Sequence, residues 1–307
     1  MINTDVTIKG GGYIAAFRSD LGGNCYRLYH EPTRAEILRS PESEQRRAKE
    51  QFLFGNPILF PPNRISGGSF DFCGKRYELP INEPSTGCHL HGALHKTAFK
   101  VTALTESSVT FEYTAGEGEY ISFPHAFSIK RIYTLGEGGL SETVEVTNLS
   151  DTVMPFMLAY HTTFNAPFIE GSEVEDCYLM TGVVREHLRN EKYIPTLEYA
   201  SGRERDEAIA SGAYSVASGA LSAFYSNNTR RSVVTDKRAG VSIVYEASEE
   251  YGYRMLWAKE GGKFIVVEPQ TCAIDCFHLD APAEEFGLIS VLPGKTKVLN
   301  TVIRIEK

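Results

Sequence analysis

The 307-residue chain has a single tryptophan, no C-x-x-C pair, no apolar run of membrane-spanning length and no excess of basic residues. Without roughly 20 consecutive apolar residues, no helix spans a bilayer. The formal net charge of −8 and the pI near 5.6 argue against a nucleic acid or an anionic membrane as partner. A local arginine cluster would still hold a small anion. Met1 to Gly12 is polar and glycine-rich and lacks the apolar stretch of a secretory signal. The six cysteines, Cys25, Cys73, Cys88, Cys177, Cys272 and Cys276, are scattered. The expectation is buried, reduced thiols in a cytoplasmic protein. Internal repeats, low-complexity segments and evident linkers are also missing, so one domain over residues 1–307 is expected.

What is present is strand patterning. From Val6 to Tyr29, short apolar runs are broken by glycine pairs. Ser128 to Thr147 alternates and turns at Gly136-Glu137-Gly138-Gly139, as a hairpin does. In the last strand, Leu299, Thr301, Ile303 and Ile305 share one face. Helix signals are few. Ser40-Pro41-Glu42 predicts a capped helix ending near Phe54-Gly55, and Arg203 to Ala210 a second. Val183 to Tyr214 otherwise reads as a polar surface excursion, a lid or a solvated flank. The fold class expected is all-β, many antiparallel strands with a few short helices.

Candidate chemistry gathers at two strand ends. His161 follows a strand-like run and sits among aromatics in Tyr160-His161-Thr162-Thr163-Phe164-Asn165. Burial or a carboxylate would move its pKa. The commoner role of a lone histidine is a core residue satisfied by backbone groups. Glu268 ends the apolar run Phe264 to Val267 and precedes Pro269. A carboxylate there needs a reason, since its desolvation is costly: an ion pair, or use as a general base. Together they make an acid–base couple. Arg64 follows a double proline, and its planar fork suits hydroxyls, carboxylates or phosphates. His89 and His91, if extended, face one way.

Several blocks along nearly the whole chain resemble the aldose 1-epimerase (galactose mutarotase-like) family. They are Gly55-Asn56-Pro57-Ile58-Leu59-Phe60-Pro61 with Arg64, His89-Leu90-His91-Gly92, Tyr160-His161 with Phe164-Asn165, Glu268-Pro269-Gln270-Thr271 and Leu292-Pro293-Gly294. The resemblance implies a β-supersandwich of antiparallel sheets and a cytoplasmic isomerase without a cofactor or metal, a monomer or homodimer whose partner is a small sugar. It implies Glu268 as base at the C1 hydroxyl, His161 as acid at the ring oxygen, and Arg64 and His91 as sugar-binding residues. Asn165 belongs to the matched block. Trp257 is a candidate for stacking on a sugar face, core packing being the commoner role. Asp236 and Asp275 are candidates for the family's sugar-binding aspartate. Three alternatives stand beside a free-hexose epimerase. The first is a hexose-6-phosphate 1-epimerase drawing on Arg64, Lys96, Arg185 or Arg189. The second is a non-catalytic carbohydrate-binding protein of this fold. The third is a cupin-like metalloenzyme using His89, His91 and His95, although its motifs are incomplete.

Overall fold

The computed structural model describes residues 5–307. Two large antiparallel sheets dominate. One has nine strands, running in order Lys100–Leu104, Ser108–Ala115, Phe127–Gly136, Gly139–Asn148, Thr296–Glu306, Val241–Ala247, Arg231–Asp236, Cys177–Thr181 and Tyr214–Ser215. The other has eight. Its path is Pro195–Ala200, Arg185–Arg189, Leu221–Ser226, Tyr253–Ala258, Phe264–Gln270, Ala159–Tyr160 and Ile58–Leu59, with Thr162–Asn165 also paired to Phe264–Gln270. A four-stranded N-terminal sheet flanks them. Among the described residues, no helix is long and apolar enough to cross a membrane.

Alternation explains the nine-stranded sheet. Phe127, Ile129, Tyr133 and Leu135 are buried on one strand, and Leu140, Val144 and Val146 on its hairpin partner, as period-two patterning over a half-buried sheet requires. The Phe264–Gln270 strand is buried at every position, because its sheet is covered on both faces. The predicted closing strand is Thr296–Glu306, with Leu299, Thr301 and Ile303 buried.

The first helix is shorter than predicted, Glu44–Lys49, and its cap is Ser43, whose hydroxyl accepts from Arg46 N at 3.1 Å. Ser40 instead donates to the Tyr26 carbonyl, so the helix cannot start there. The second helix, Glu204–Ser211, lies where expected. The supposed excursion is largely built structure: Arg185–Arg189 and Pro195–Ala200 form an edge of the eight-stranded sheet. Its charged residues concealed the strands because an edge strand can be polar on its outer face.

A buried polar network fastens the two large sheets together. Arg131 is fully buried and donates from Nε to Glu142 Oε1 at 2.7 Å across the hairpin. It also donates to the Gly22 carbonyl at 2.6 Å. Asn56 Nδ2 donates to the other Glu142 oxygen at 3.3 Å. Thr162 Oγ1 donates to Asn56 Oδ1 at 2.6 Å. The chain of bonds therefore runs from the nine-stranded sheet to the residue following His161. A buried ion pair persists only with its remaining donors and acceptors satisfied. Removing one partner strands a charge, so Arg131→Met should destabilise by about 3–5 kcal/mol. Arg131→Met/Glu142→Leu should recover most of that loss. Urea midpoints of the single and double variants check this; a single variant as stable as the parent would show that the pair carries no structural weight.

Candidate active site

Strand register brings the two expected acid–base residues together. Ala159 pairs with Gln270, and Thr162 pairs with Val267. Carried through, that register sets His161 opposite Glu268. In this register Pro269 lies opposite Tyr160 and has no N–H to give the ladder, and the His161 N–H donates to the Pro57 carbonyl at 3.0 Å. Residues opposite one another on antiparallel strands have side chains in contact. Here His161 Nε2 lies 3.5 Å from Glu268 Oε1.

Both groups are buried, Glu268 to 3 % exposure and His161 to 8 %. Burial pushes the Glu268 carboxyl up to about 8, against the charges of Arg189 and Arg64 and a 3.4 Å hydrogen bond from Gln270 Nε2. Burial pushes His161 down to about 4; backbone groups of His161 itself and Phe52 pull weakly the other way. The sign follows from desolvation, which disfavours the charged form of each. Near neutral pH burial therefore favours one proton on the pair, held by the carboxyl. This inverts the ionised-glutamate, charged-histidine state that their intrinsic pKa values suggest.

His91 leaves its strand at a left-handed φ of 59°. The turn holds because Gly92 passes so close to Phe60 that a Cβ would stand 1.7 Å from its carbonyl oxygen. The turn sends His91 and His89 different ways. His89 Nδ1 bonds to the Pro80 carbonyl, whereas His91 enters the cavity. Asn63 N–H donates to His91 Nδ1 at 3.2 Å, which leaves the ring's Nε2 protonated and able to donate. Among the described residues, no three His, Cys, Asp or Glu are grouped to hold a metal ion.

Arg64 is gripped by Glu83 through two 2.7 Å bonds. This fork fixes its direction and offsets part of its charge. Its guanidinium lies over the Tyr193 ring at 4.7 Å. Arg189 also faces Tyr193, at 5.9 Å, and its bonds go to neutral groups, the Ser222 carbonyl at 2.8 Å and hydroxyl at 3.0 Å. Among the described residues it pairs with no carboxylate, and burial lowers its pKa. Phe52 roofs the histidines, 4.8 Å from the His91 ring and 5.9 Å from that of His161.

These groups line a cavity of about 610 Å³, as do Met255 and Trp257. Thus Glu268, His161, Arg64, His91 and Trp257 converge. Asn165 does not join them: its Nδ2 donates to the carbonyls of Glu36 and Leu38, a structural use. Asp236 is wholly buried in the nine-stranded sheet, where it accepts from Ala239 N. Asp275 is consumed by Ser66 and His278. Lys96 and Arg185 also lie outside the cavity, Arg185 over Tyr199. Glu83, Phe52 and Tyr193 were missed as site residues. Only the proline after Glu83 and the charge of Arg189 marked those segments in the sequence.

The sequence profile described as Aldose 1-epimerase matches residues 4–304. The protein LacX (chromosomal) of Lactococcus lactis is 25 % identical over 263 residues, 79 % of this chain and 80 % of LacX. A galactose mutarotase-like protein of Clostridium acetobutylicum superposes with a TM-score of 0.92 at 28 % identity, covering 99 % of this chain and 95 % of that one. A putative aldose 1-epimerase of Escherichia coli K12 shares the fold at a TM-score of 0.82 and 18 % identity, over 99 % of both chains. With the profile matched from end to end and the fold shared, this chain belongs to the aldose 1-epimerase family.

Proposed function

We propose that the protein interconverts the α and β anomers of a free hexose by acid–base ring opening and reclosure. The observation carrying this is the buried pair, Glu268 and His161, 3.5 Å apart. For opening, Glu268 as carboxylate takes the proton of the C1 hydroxyl, and protonated His161 gives one to the ring oxygen. The C1–O5 bond breaks and C1 becomes the aldehyde. Rotation about C1–C2 exposes the other face, and reclosure returns both protons. The sugar gains and loses one proton, so the steps balance. Arg64 and the Nε2–H of His91 hold hydroxyl oxygens.

The protonation state that burial favours, neutral acid and neutral imidazole, is the state left by ring opening. The closed sugar meets the less favoured ion pair, so proton transfer to and from the sugar discharges two buried charges. Arg189 and Arg64 temper this by favouring the carboxylate, keeping both states accessible.

A second reading replaces the hexose with its 6-phosphate. Arg189 favours it, being a half-buried cation bonded to no carboxylate within reach of Arg64. A dianionic phosphate would supply the missing counter-charge. The overall charge of −8 opposes it at long range. Polarimetry on fresh α-glucose and α-glucose 6-phosphate separates the readings. Glucose should relax faster with protein than in buffer, with the larger kcat/KM. A far larger value for the phosphate would move the assignment to the second reading, and buffer rates for every sugar would leave a binding protein.

The pair sets the pH profile. Below about 4 His161 is protonated as well and no base remains; above about 8 Glu268 is ionised and no acid remains. The kcat/KM profile for glucose should therefore be a bell whose limbs belong to the pair jointly. A rate flat from pH 3 to 10 would remove both residues from the chemistry. Glu268→Gln and His161→Asn should each cost at least ~10²-fold, and the double variant far less than the product of the two.

Stability carries the same signature. Between about 4.5 and about 8 the folded chain keeps a proton on Glu268 that the unfolded chain releases. Stability contributed by that proton is complete below the lower value and lost as pH rises through the upper. Glu268→Gln should melt higher than the parent, by a margin that widens from pH 5 to pH 8.5 in calorimetry. A constant margin would mean that the carboxyl is ionised throughout.

A further inference from the structure

Strand register fixes the acid–base pair but not the residues that face it. Arg64–Ser66 and Cys88–Leu90 form a two-stranded ribbon of their own. In it Arg64 stands opposite Leu90, Ile65 opposite His89 and Ser66 opposite Cys88. Arg64 therefore sits at one end of the ribbon, and His91 follows Leu90 at that same end. Among the described residues, no ladder joins the ribbon to the Phe264–Gln270 strand that carries Glu268. The end near the cavity is tied by the short chain from Ile58–Leu59 and by a bridge between Phe60 and Gly92. A ribbon tied at one end can pivot there, so its direction depends on how the far end, at Ser66, is held.

Asp275 holds it. Its Oδ1 accepts from the Ser66 N–H at 2.9 Å, and its Oδ2 from Ser66 Oγ at 2.5 Å. Oδ1 also accepts from His278 Nδ1 at 2.7 Å. The Asp275 backbone is left-handed, φ 57°, a conformation that aspartate adopts more readily than most residues. The residue is buried, and neither Asp275 nor Ser66 lines the catalytic cavity. Upstream, the chain is pinned to the strands of the pair. The Thr271 N–H donates to the Leu158 carbonyl at 2.9 Å, and the Leu158 N–H donates to Thr271 Oγ1 at 3.0 Å. One path of bonds thus runs from the segment before His161, through residues 271–275, to Ser66. Downstream, Phe277 stacks on Phe70 at 3.7 Å, so the segment keeps an anchor when the carboxylate is removed.

We propose that Asp275 is a positioning residue: through Ser66 it sets the Arg64–His91 end of the ribbon against Glu268, without touching the sugar. This inference rests on the anomerase reading of the cavity, and the experiment keeps the two apart. Arg64 and His91 hold hydroxyls in the closed sugar and in the transition state alike. Displacing them weakens both states together, which raises KM and leaves kcat in place. A displacement of ~1 Å can cost ~10²-fold.

Mutarotation of glucose is followed by polarimetry across the pH profile, well below each variant's melting temperature. Asp275→Ala should raise KM at least ~10-fold and change kcat less than ~3-fold, with both limbs of the bell unmoved. Asp275→Asn keeps an acceptor for the Ser66 N–H and should recover most of the loss. Ser66→Ala should raise KM ~3-fold, and adding it to Asp275→Ala should cost nothing more, since the two share one contact. If Asp275→Ala does not fold, Asp275→Asn and Ser66→Ala carry the same test. Hydrogen exchange read by mass spectrometry follows residues 88–91, which Asp275 does not bond. They should exchange at least ~10-fold faster in Asp275→Ala while residues 264–270 keep the parent's rate. A lower melting temperature with KM unchanged would make Asp275 a brace of the fold alone and overturn the proposal. A fall in kcat with a shifted limb would place its effect on the acid–base pair and also overturn it. Faster exchange at 88–91 in a protein that accelerates no sugar would uphold the joint and remove the anomerase reading; parent exchange rates there and no acceleration would remove both.

Discussion

The site depends on one cross-strand pairing, His161 against Glu268, made where little of either side chain is exposed. An antiparallel ladder delivers two side chains to one point without help from loops. It also costs the carboxylate its solvation, and no cation bonds directly to Glu268 to replace it. The outcome is a carboxyl that keeps its proton to about 8 and an imidazole that stays neutral to about 4. Each group titrates away from its intrinsic value for the same reason, so the pair shares a wide range in which one proton serves both. A pair bonded to arginine would lose that property, because the carboxylate would be locked in its charged form.

The handling of the two nearby arginines bears this out. Arg64 is held by Glu83 through a bidentate fork that offsets part of its charge. Arg189 has no such carboxylate partner among the described residues. The charges of both are felt by Glu268, that of Arg189 more strongly. On the proposed reading, Arg64 is then a directed fork and Arg189 the larger electrostatic bias on the pair.

Most of the fold was legible in the sequence because it is built from alternation and turns. The Phe127–Gly136 hairpin and the closing strand have patterns that one buried face dictates. The pair Arg185–Arg189 and Pro195–Ala200 at the sheet margin was not legible, since polar residues at exposed positions erase the period. Glu268 was marked by the proline after it and Arg64 by the double proline before it, while His161 and His91 were marked by the blocks in which they stand. Asp236 and Asn165 failed as site residues for a reason sequence does not carry: Asp236 belongs to the other sheet, and the Asn165 side chain turns inward to brace Glu36 and Leu38. Glu83 and Tyr193 were hidden because their relevance lies wholly in contacts with Arg64, 19 residues from the first.

The division between strands and loops has a consequence for how this site can vary. Glu268, Met255, Trp257 and Ser222 are fixed by register, and His161 by its place opposite Glu268. The network through Arg131, Glu142, Asn56 and Thr162 ties that register to the second sheet. A change of substrate is therefore easiest where no ladder exerts control: the 50–53 turn with Phe52 and the 191–193 turn with Tyr193. Loops can be rebuilt without moving strands, and chemistry held on rigid elements tolerates such rebuilding. On the proposed reading, the acid–base pair rests on strands and part of the sugar-facing wall on turns, so the wall can change while the pair is kept.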